Sequence, residues 1–508
     1  MYRTFADYLR TLDDAALERL FSLRPDLISP TPPDYAALSV RANSGPSIAR
    51  VIDSLNAFEI QVLEALMVLP EPIKLKDLEK ITDAAARFAY KKFEDLCLVY
   101  EGVVPTQVRE AIGAEPAGLG PRSLTKLDLK MLSDAPESAK KVMDALCWGP
   151  PRGSVGDIKN PGPGIAWLLE RHFVVPLDQR HVVMPAEVAI HLRGGKVHKE
   201  LASNAPELMG KKYNQSDIDR AAIANISNVL RWCEEILNFW GETAPNALRA
   251  GGLGVRDLKD AAQHLGVTEG CAAFVAELCY LSGLVAIDAD ETIAPTNLFD
   301  IWLTQDFENK WRNLVSLWLI TSRVSGLVGR SDQKFSALGP ELDRVSAANI
   351  RTRILEELRA NIELSPTLDS FAQRMKWLAP LRRGTNLRDD LVKWTLEECE
   401  WLGITGLGAL STFAAELLEG DDDLGVNAAL PTPIDFITIQ SDQTAIAPGP
   451  LQHDLAVELS QMADIESRGA ATVYRFTESS IRRGLDHGKS STEIIKFLSQ
   501  ISKTALPQ

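Results

Sequence analysis

GLVAIDADETIAPTNLFDIWL, residues 283–303, reads as a strand, a short turn, a second strand, then a proline, two polar residues and an apolar helix start. Two earlier stretches end the same way: LCLVYEGVVPTQVREAI at 96–112 and FVVPLDQRHVVMPAEVAIHL at 173–192. Proline suits the first turn of a helix because its missing N–H is not needed there. A pattern repeated at intervals of this size marks an array of similar units.

Short helical segments precede each ending. In the first copy they are NAFEIQVLEALMVLP, IKLKDLEKIT and DAAARFAYKKFEDL; in the third they include GVRDLKDAAQHLGVTEGCAAFVAELCYLSGL. Helix, turn, helix and a two-stranded ribbon is the winged-helix plan. The spacing predicts three units, at 55–115, 136–196 and 222–306, after an N-terminal helical segment at 1–54. A weaker fourth candidate, about 342–418, lies in the helical region 307–425 and ends in LVKWTLEECEWLGITGLGALS. Trp232, Trp302, Trp311, Trp318, Trp377, Trp394 and Trp401 recur at helical spacing with other apolar residues, which points to core packing.

The linkers stand out by composition: SPTPPDY at 29–35, GAEPAGLGPRS at 113–123 and EGDDDLGVNAALPTP at 419–433. Beyond the last, DFITIQSDQTAIAPGP alternates as two strands around Ser441 and Asp442. A helix at 451–464, the strand TVYRF and two further helices follow, so 430–508 reads as an α+β domain. The fold class expected is mainly α with small β elements: tandem winged-helix units followed by this domain.

That final domain contains Gly488-Lys489-Ser490, three letters of a phosphate-binding loop. The loop needs a further glycine five residues before the Gly-Lys pair, and that position is Arg483. Helix punctuation explains the same residues. Thr477 caps a helix with apolar Ile481 and Leu485, Gly488 lies just past its end, and Ser490 with Glu493 forms the capping box of the next.

The chain has 508 residues, 45% of them apolar and 24% charged, as in a folded protein. No run approaches the length of a membrane span, and MYRTFADYLRTLDDAALERL reads as an amphipathic helix rather than a signal peptide, which predicts a cytoplasmic protein with no membrane partner. The six cysteines include no C-x-x-C pair and read as reduced core residues. The seven histidines lie at no metal-ligand or triad spacing from a Cys or carboxylate. LVAID followed by DADE, at 284–291, could serve a metal, but it falls where the third copy needs a wing turn. No catalytic residue, metal or cofactor is expected.

A net charge of −15 argues against coating nucleic acid with the whole surface. The charge is uneven, however. Residues 310–353 carry eight basic and three acidic side chains, and 371–394 carry six and two, whereas 395–425 carry eight acidic and none basic. In the first unit Arg87 and Lys91 lie four apart, with Lys92 beside them, opposite an expected apolar face of Ala85, Phe88 and Phe93. The corresponding helix of the second unit, GIAWLLERH, offers one Arg beside one Glu. That of the third has two glutamates and no base, so it suits protein contacts. DNA contact is therefore assigned to Arg87, Lys91, Lys92, Arg382, Arg383, Arg388 and Lys393.

IDFITIQSDQTAIAPGPL and VYRFTESSIRRGLDHGKSSTEIIKFLSQISKTALP resemble the N-terminal domain of XPB-type DNA helicases, most closely in Tyr474 to Thr477, Ser480, Gly488, Ile494, Phe497, Leu498, Ser502 to Thr504 and Pro507. The whole chain looks like the actinobacterial helicase-associated proteins, in which a winged-helix array precedes such a domain. It is similar also to the winged-helix subunit of TFIIH that clamps XPB. The resemblance implies a non-enzymatic accessory protein that binds an XPB-type superfamily 2 helicase and touches DNA modestly and without sequence specificity, in DNA repair. Arg475, Arg482 and Arg483 are the partner-binding candidates. No helicase motif follows, and the family's domains continue past the proline with another strand, so the end at Gln508 reads as a shortened chain with an unpaired sheet edge. The alternative is a tandem winged-helix transcription regulator that binds DNA on its own.

Overall fold

A computed structural model describes residues 4–288, 290–330, 335–380, 387–430, 433–468 and 471–506. The chain is mainly helical with small sheets, as the sequence implies. It divides into two compact units, 1–212 with 365–393, and 213–364 with 394–508.

In the first unit, helices Ala57–Val68, Leu75–Ile81 and Ala86–Asp95 lead to helix Thr106–Ile112, which starts behind Pro105. Asn56 and Glu59 close a reciprocal capping box on the first of these, satisfying two otherwise orphaned backbone N–H groups. The ribbon expected at 96–104 shrinks to one bridge between Tyr100 and Val103. The next segment is more complete. Helix Glu137–Cys147, strand Arg152–Ser154, helix Pro163–Glu170 and the ribbon Val175–Pro176 with His181–Val183 precede helix Ala186–Leu192. Strand His181–Val183 lies between the other two, antiparallel to both. One continuous apolar core runs from Ile48 to Val197, through Phe93, Val99, Leu146, Phe173 and Met184.

Helices Asp14–Leu23 and Tyr35–Ala42 add a smaller core of Phe5, Leu9, Leu20, Leu27, Leu38, Ala42 and Cys97. The Arg24 guanidinium is buried and donates to the carbonyls of Leu96 and Ala42 and to Ser47 Oγ. These bonds fasten the N-terminal segment to the helices behind it.

In the second unit a 28-residue helix, Gln215–Glu242, carries a stripe of ten buried residues from Ile218 to Trp240. Against it pack helices Val255–Leu265, Glu269–Leu281 and Phe307–Ile320. The ribbon Val285–Ile287 with Ile293–Pro295 turns on Asp288, whose carboxylate accepts from the N–H groups of Asp290 and Thr292. A second ribbon, Thr405–Gly406 with Ala409–Leu410, follows helix Leu387–Leu402.

The C-terminal segment is α+β. Its antiparallel sheet takes the order Thr438–Ile439, Thr444–Ala447, Thr472–Arg475, Asp464–Arg468. The sequence reading misses the last of these strands: the helix expected to reach 464 stops at Ser460, and 464–468 turns back to pair with 472–475. Beyond helix Ser491–Ile501 the backbone runs beside the first strand, where Ile437 N–H donates to Ile501 and Lys503 N–H to Ile437. That edge of the sheet is therefore occupied. Among the described residues the 464–468 strand pairs along one side only.

Candidate nucleic-acid interface

Helices Leu75–Ile81 and Ala86–Asp95 turn one face inward and one outward. Leu78, Ala86, Ala89 and Phe93 are buried. The expected inward face of Ala85, Phe88 and Phe93 is thus rotated, for Phe88 is 73% exposed. Alanines at 86 and 89 let the helix approach its neighbours closely, and the larger ring is left outside.

Cations predominate on the outer face, where Asp77 pairs with Lys80 at 3.0 Å. Of the six cations at 74–92, Lys74, Lys76, Lys80, Arg87 and Lys91 are exposed and Lys92 is half-buried. The acids of the same stretch, Asp77, Glu79 and Asp83, are all half-buried. Arg87 bonds to Glu79 at 2.9 Å, Lys91 lies 3.5 Å from Asp95, and Lys92 reaches Glu59 at 2.8 Å. These pairs orient the cationic side chains. The sequence reading assigned DNA contact to Arg87, Lys91 and Lys92 but not to Lys74, Lys76 or Lys80. The spacing of KLKDLEK, with bases at 74, 76 and 80 around the inward Leu78, carried that signal.

The helices expected to correspond in the later segments are built differently. Pro163–Glu170 exposes Pro163, Ala166 and Glu170, and Arg171 just beyond lies over the Trp167 ring at 4.5 Å. Glu269–Leu281 is buried continuously from Cys271 to Cys279. Its Glu277 is internal, held by Arg323 at 2.6 and 3.1 Å and by Leu338 N–H. No face of that helix is left to enter a groove.

The basic stretch at 310–353 also turns inward. All seven of its described cations are buried or half-buried. Arg351 donates to the carbonyls of Trp318, Thr321 and Arg323 and lies 3.7 Å from the buried Glu398. Glu398 in turn accepts from Trp318 Nε1 and Ser325 Oγ, both at 2.7 Å. Lys310 lies over the Trp302 ring, and Arg312 holds the carbonyls of Asp421 and Asp422. Burial holds the Lys310 amine below the ordinary lysine range, against the opposing pull of Glu234 and Asp306.

Of the other assigned residues, Lys393 is exposed. Arg382 and Arg383 lie outside the described residues, as does the side chain of Arg388. In the C-terminal segment Arg475 pairs with Glu466 at 2.6 Å, and Arg483 pairs with Asp464 at 2.7 Å while reaching the Ser460 carbonyl. Both side chains tie elements of the fold together. Arg482, on the same helix, is exposed, with no ion-pair partner among the described residues.

Helix punctuation describes Gly488-Lys489-Ser490. Thr477 accepts from Ser480 N–H and opens helix Glu478–Asp486; Gly488 takes φ +90°; Ser490 and Glu493 form a reciprocal capping box on the next helix. Lys489 is turned to Glu458 and lies over Phe497. The first helix differs from expectation in its packing face. Ser480 and Gly484 are buried and Leu485 is 43% exposed, because a Cβ at Gly484 would already stand 3.1 Å from Met462 Cβ. Burial pushes the Cys97 and Cys271 thiols up to about 12, which removes them as nucleophiles near neutral pH. No helix among the described residues is long and apolar enough to cross a membrane.

A family described as "Helicase conserved C-terminal domain" matches residues 437–508, the four-stranded sheet and its helices. No curated protein matches the chain.

Proposed function

We propose that this chain is a non-enzymatic accessory protein that binds an XPB-type superfamily 2 helicase through its 430–508 domain and touches DNA through its first unit, in DNA repair. The observation that carries this reading is the helicase-family match at 437–508, taken with a domain whose Gly-Lys-Ser triplet is built as a junction between two capped helices. A triplet built this way cradles no phosphate, and we read the module as one that recognises a motor. The earlier segments at 55–115, 136–196 and 222–306, and the fourth at 342–418, are proposed as winged-helix units. Their order of helices, ribbon and proline-led helix supports that assignment. An actinobacterial origin and a cytoplasmic location belong to the same reading.

The exposure of Arg482, the arginine of the three that the fold leaves in solution, supports it as the partner contact in this reading. Arg475 and Arg483 act at that surface by fixing the strand and helix beside it. A transcription regulator acting alone is less well supported, because the exposed face at 74–92 carries no Asn or Gln to read adenine and its one guanidinium, that of Arg87, is paired with Glu79. The test mixes the full chain with a purified XPB-type helicase and follows complex formation by gel filtration. A complex that Arg482→Glu weakens about tenfold supports the reading, since reversing one interfacial charge costs on the order of 1–2 kcal/mol. No complex with the unaltered chain overturns it.

A further inference from the structure

We infer that Phe88 is a base-stacking platform and that the face at 74–92 takes single-stranded DNA in preference to duplex. The inference rests on the proposed nucleic-acid contact of the first unit and adds the form of the ligand. Among the described residues Phe88 is the most exposed aromatic, and it stands on a helical face where exposed cations predominate. Lys91 and Lys92 follow it at three and four residues, so two cations neighbour the ring along the helix, and exposed Ala84 lies in the turn just before the helix. Arg87 is beside it, and Lys80 and Leu75, the latter 38% exposed, extend the face onto the preceding helix.

The chemistry of this set is that of single-strand recognition. Cations track a phosphate backbone, and an aromatic ring accepts any base, because every base presents a π-face. Duplex readout by a helix uses amides at adenine and guanidinium forks or ammonium groups at guanine, directed at base edges. Here the exposed side chains are lysines, one alanine, Leu75, Phe88 and Arg87, and the guanidinium of Arg87 is already committed to Glu79 and the Ala84 carbonyl. A paired base keeps its faces inside the stack and cannot cover the ring; an unpaired one can.

The experiment measures the affinity of the full chain at low salt for a fluorescein-labelled oligothymidine and for a labelled duplex of equal length, by anisotropy. Phe88→Ala is expected to weaken oligothymidine binding about tenfold and duplex binding less than about twofold, with Phe88→Trp restoring the single-strand affinity. Lys76→Glu with Lys80→Glu is expected to weaken both. If that lysine pair matters and Phe88→Ala changes neither affinity, or changes both equally, the stacking inference falls and the nucleic-acid reading stands. If the unaltered chain binds neither probe, both fall. Because the ring is in solvent, an unchanged thermal transition for Phe88→Ala separates lost binding from lost folding.

Discussion

Between residues 74 and 92, five of six cations end in solvent; between 310 and 353, no described cation does. The two stretches look alike in composition, and the first to attract attention in the sequence is the second, because it has the larger net charge. The difference lies in what stands opposite. Lys74, Lys76, Lys80, Arg87 and Lys91 sit on the outer side of short helices whose inner side is Leu78, Ala86, Ala89 and Phe93. Arg323 and Arg351 sit inside a packed unit and meet Glu277 and Glu398, which reach them from distant parts of the chain. Net charge along a sequence therefore says little about surface potential until burial is known.

The largest test of this contrast is on the inward side. Glu398→Ala strips Arg351 of its buried carboxylate and leaves the Trp318 and Ser325 donors unmet, and is expected to cost about 3–5 kcal/mol. A urea-unfolding midpoint that hardly moves would break the account of that stretch as structural. On the outward side the pattern reverses. Lys76→Glu with Lys80→Glu should change stability by no more than about 0.5 kcal/mol, yet lower DNA affinity about tenfold and flatten its salt dependence by about 1.5 units of log–log slope. Fluorescence anisotropy across a salt series reads both quantities.

The smallest effect sharpens the comparison through pH. The Lys310 amine has its folded-state pKa lowered by burial, so between that value and about 10.4 the unfolded chain binds more protons than the folded one. Stability from this group is lowest at neutral pH and rises as pH climbs through that window. Lys310→Met should abolish this rise and leave neutral stability within about 1 kcal/mol. Urea midpoints at neutral and alkaline pH, compared with those of Lys76→Met on the outer face, check it.

Local signals in the sequence proved durable. Thr477, Ser490 with Glu493, and Gly488 all act where the sequence places them, because a cap is satisfied within three residues and a left-handed glycine needs no distant partner. The turn on Asp288 and the prolines before helices 106–112 and 186–192 are of the same kind. Less durable was the choice of face on a short helix. The spacing points Ala85, Phe88 and Phe93 inward, and in the C-terminal segment Ile481 and Leu485, whereas the fold buries Ala86 and Ala89 with Phe93, and Ser480 with Gly484. Close packing decided both in favour of the small residues. The strand at 464–468 was hidden for another reason: its short, charged sequence becomes a strand by pairing with 472–475.

The sequence by itself determined the caps and turns at Thr477, Gly488 and Ser490, that the chain is mainly α with small ribbons, and that its last residues form an α+β domain that resembles a helicase domain. Tertiary structure alone decided which cations reach solvent and that Phe88 stands among them. It also left Arg482 free where Arg475 and Arg483 are tied down. Caps and turns depend on neighbours a few residues away, and their free energy is set by local backbone geometry. The fate of a charge depends on whether a carboxylate or a carbonyl stands opposite it in space, and Glu398 meets Arg351 across 47 residues of chain (398 − 351).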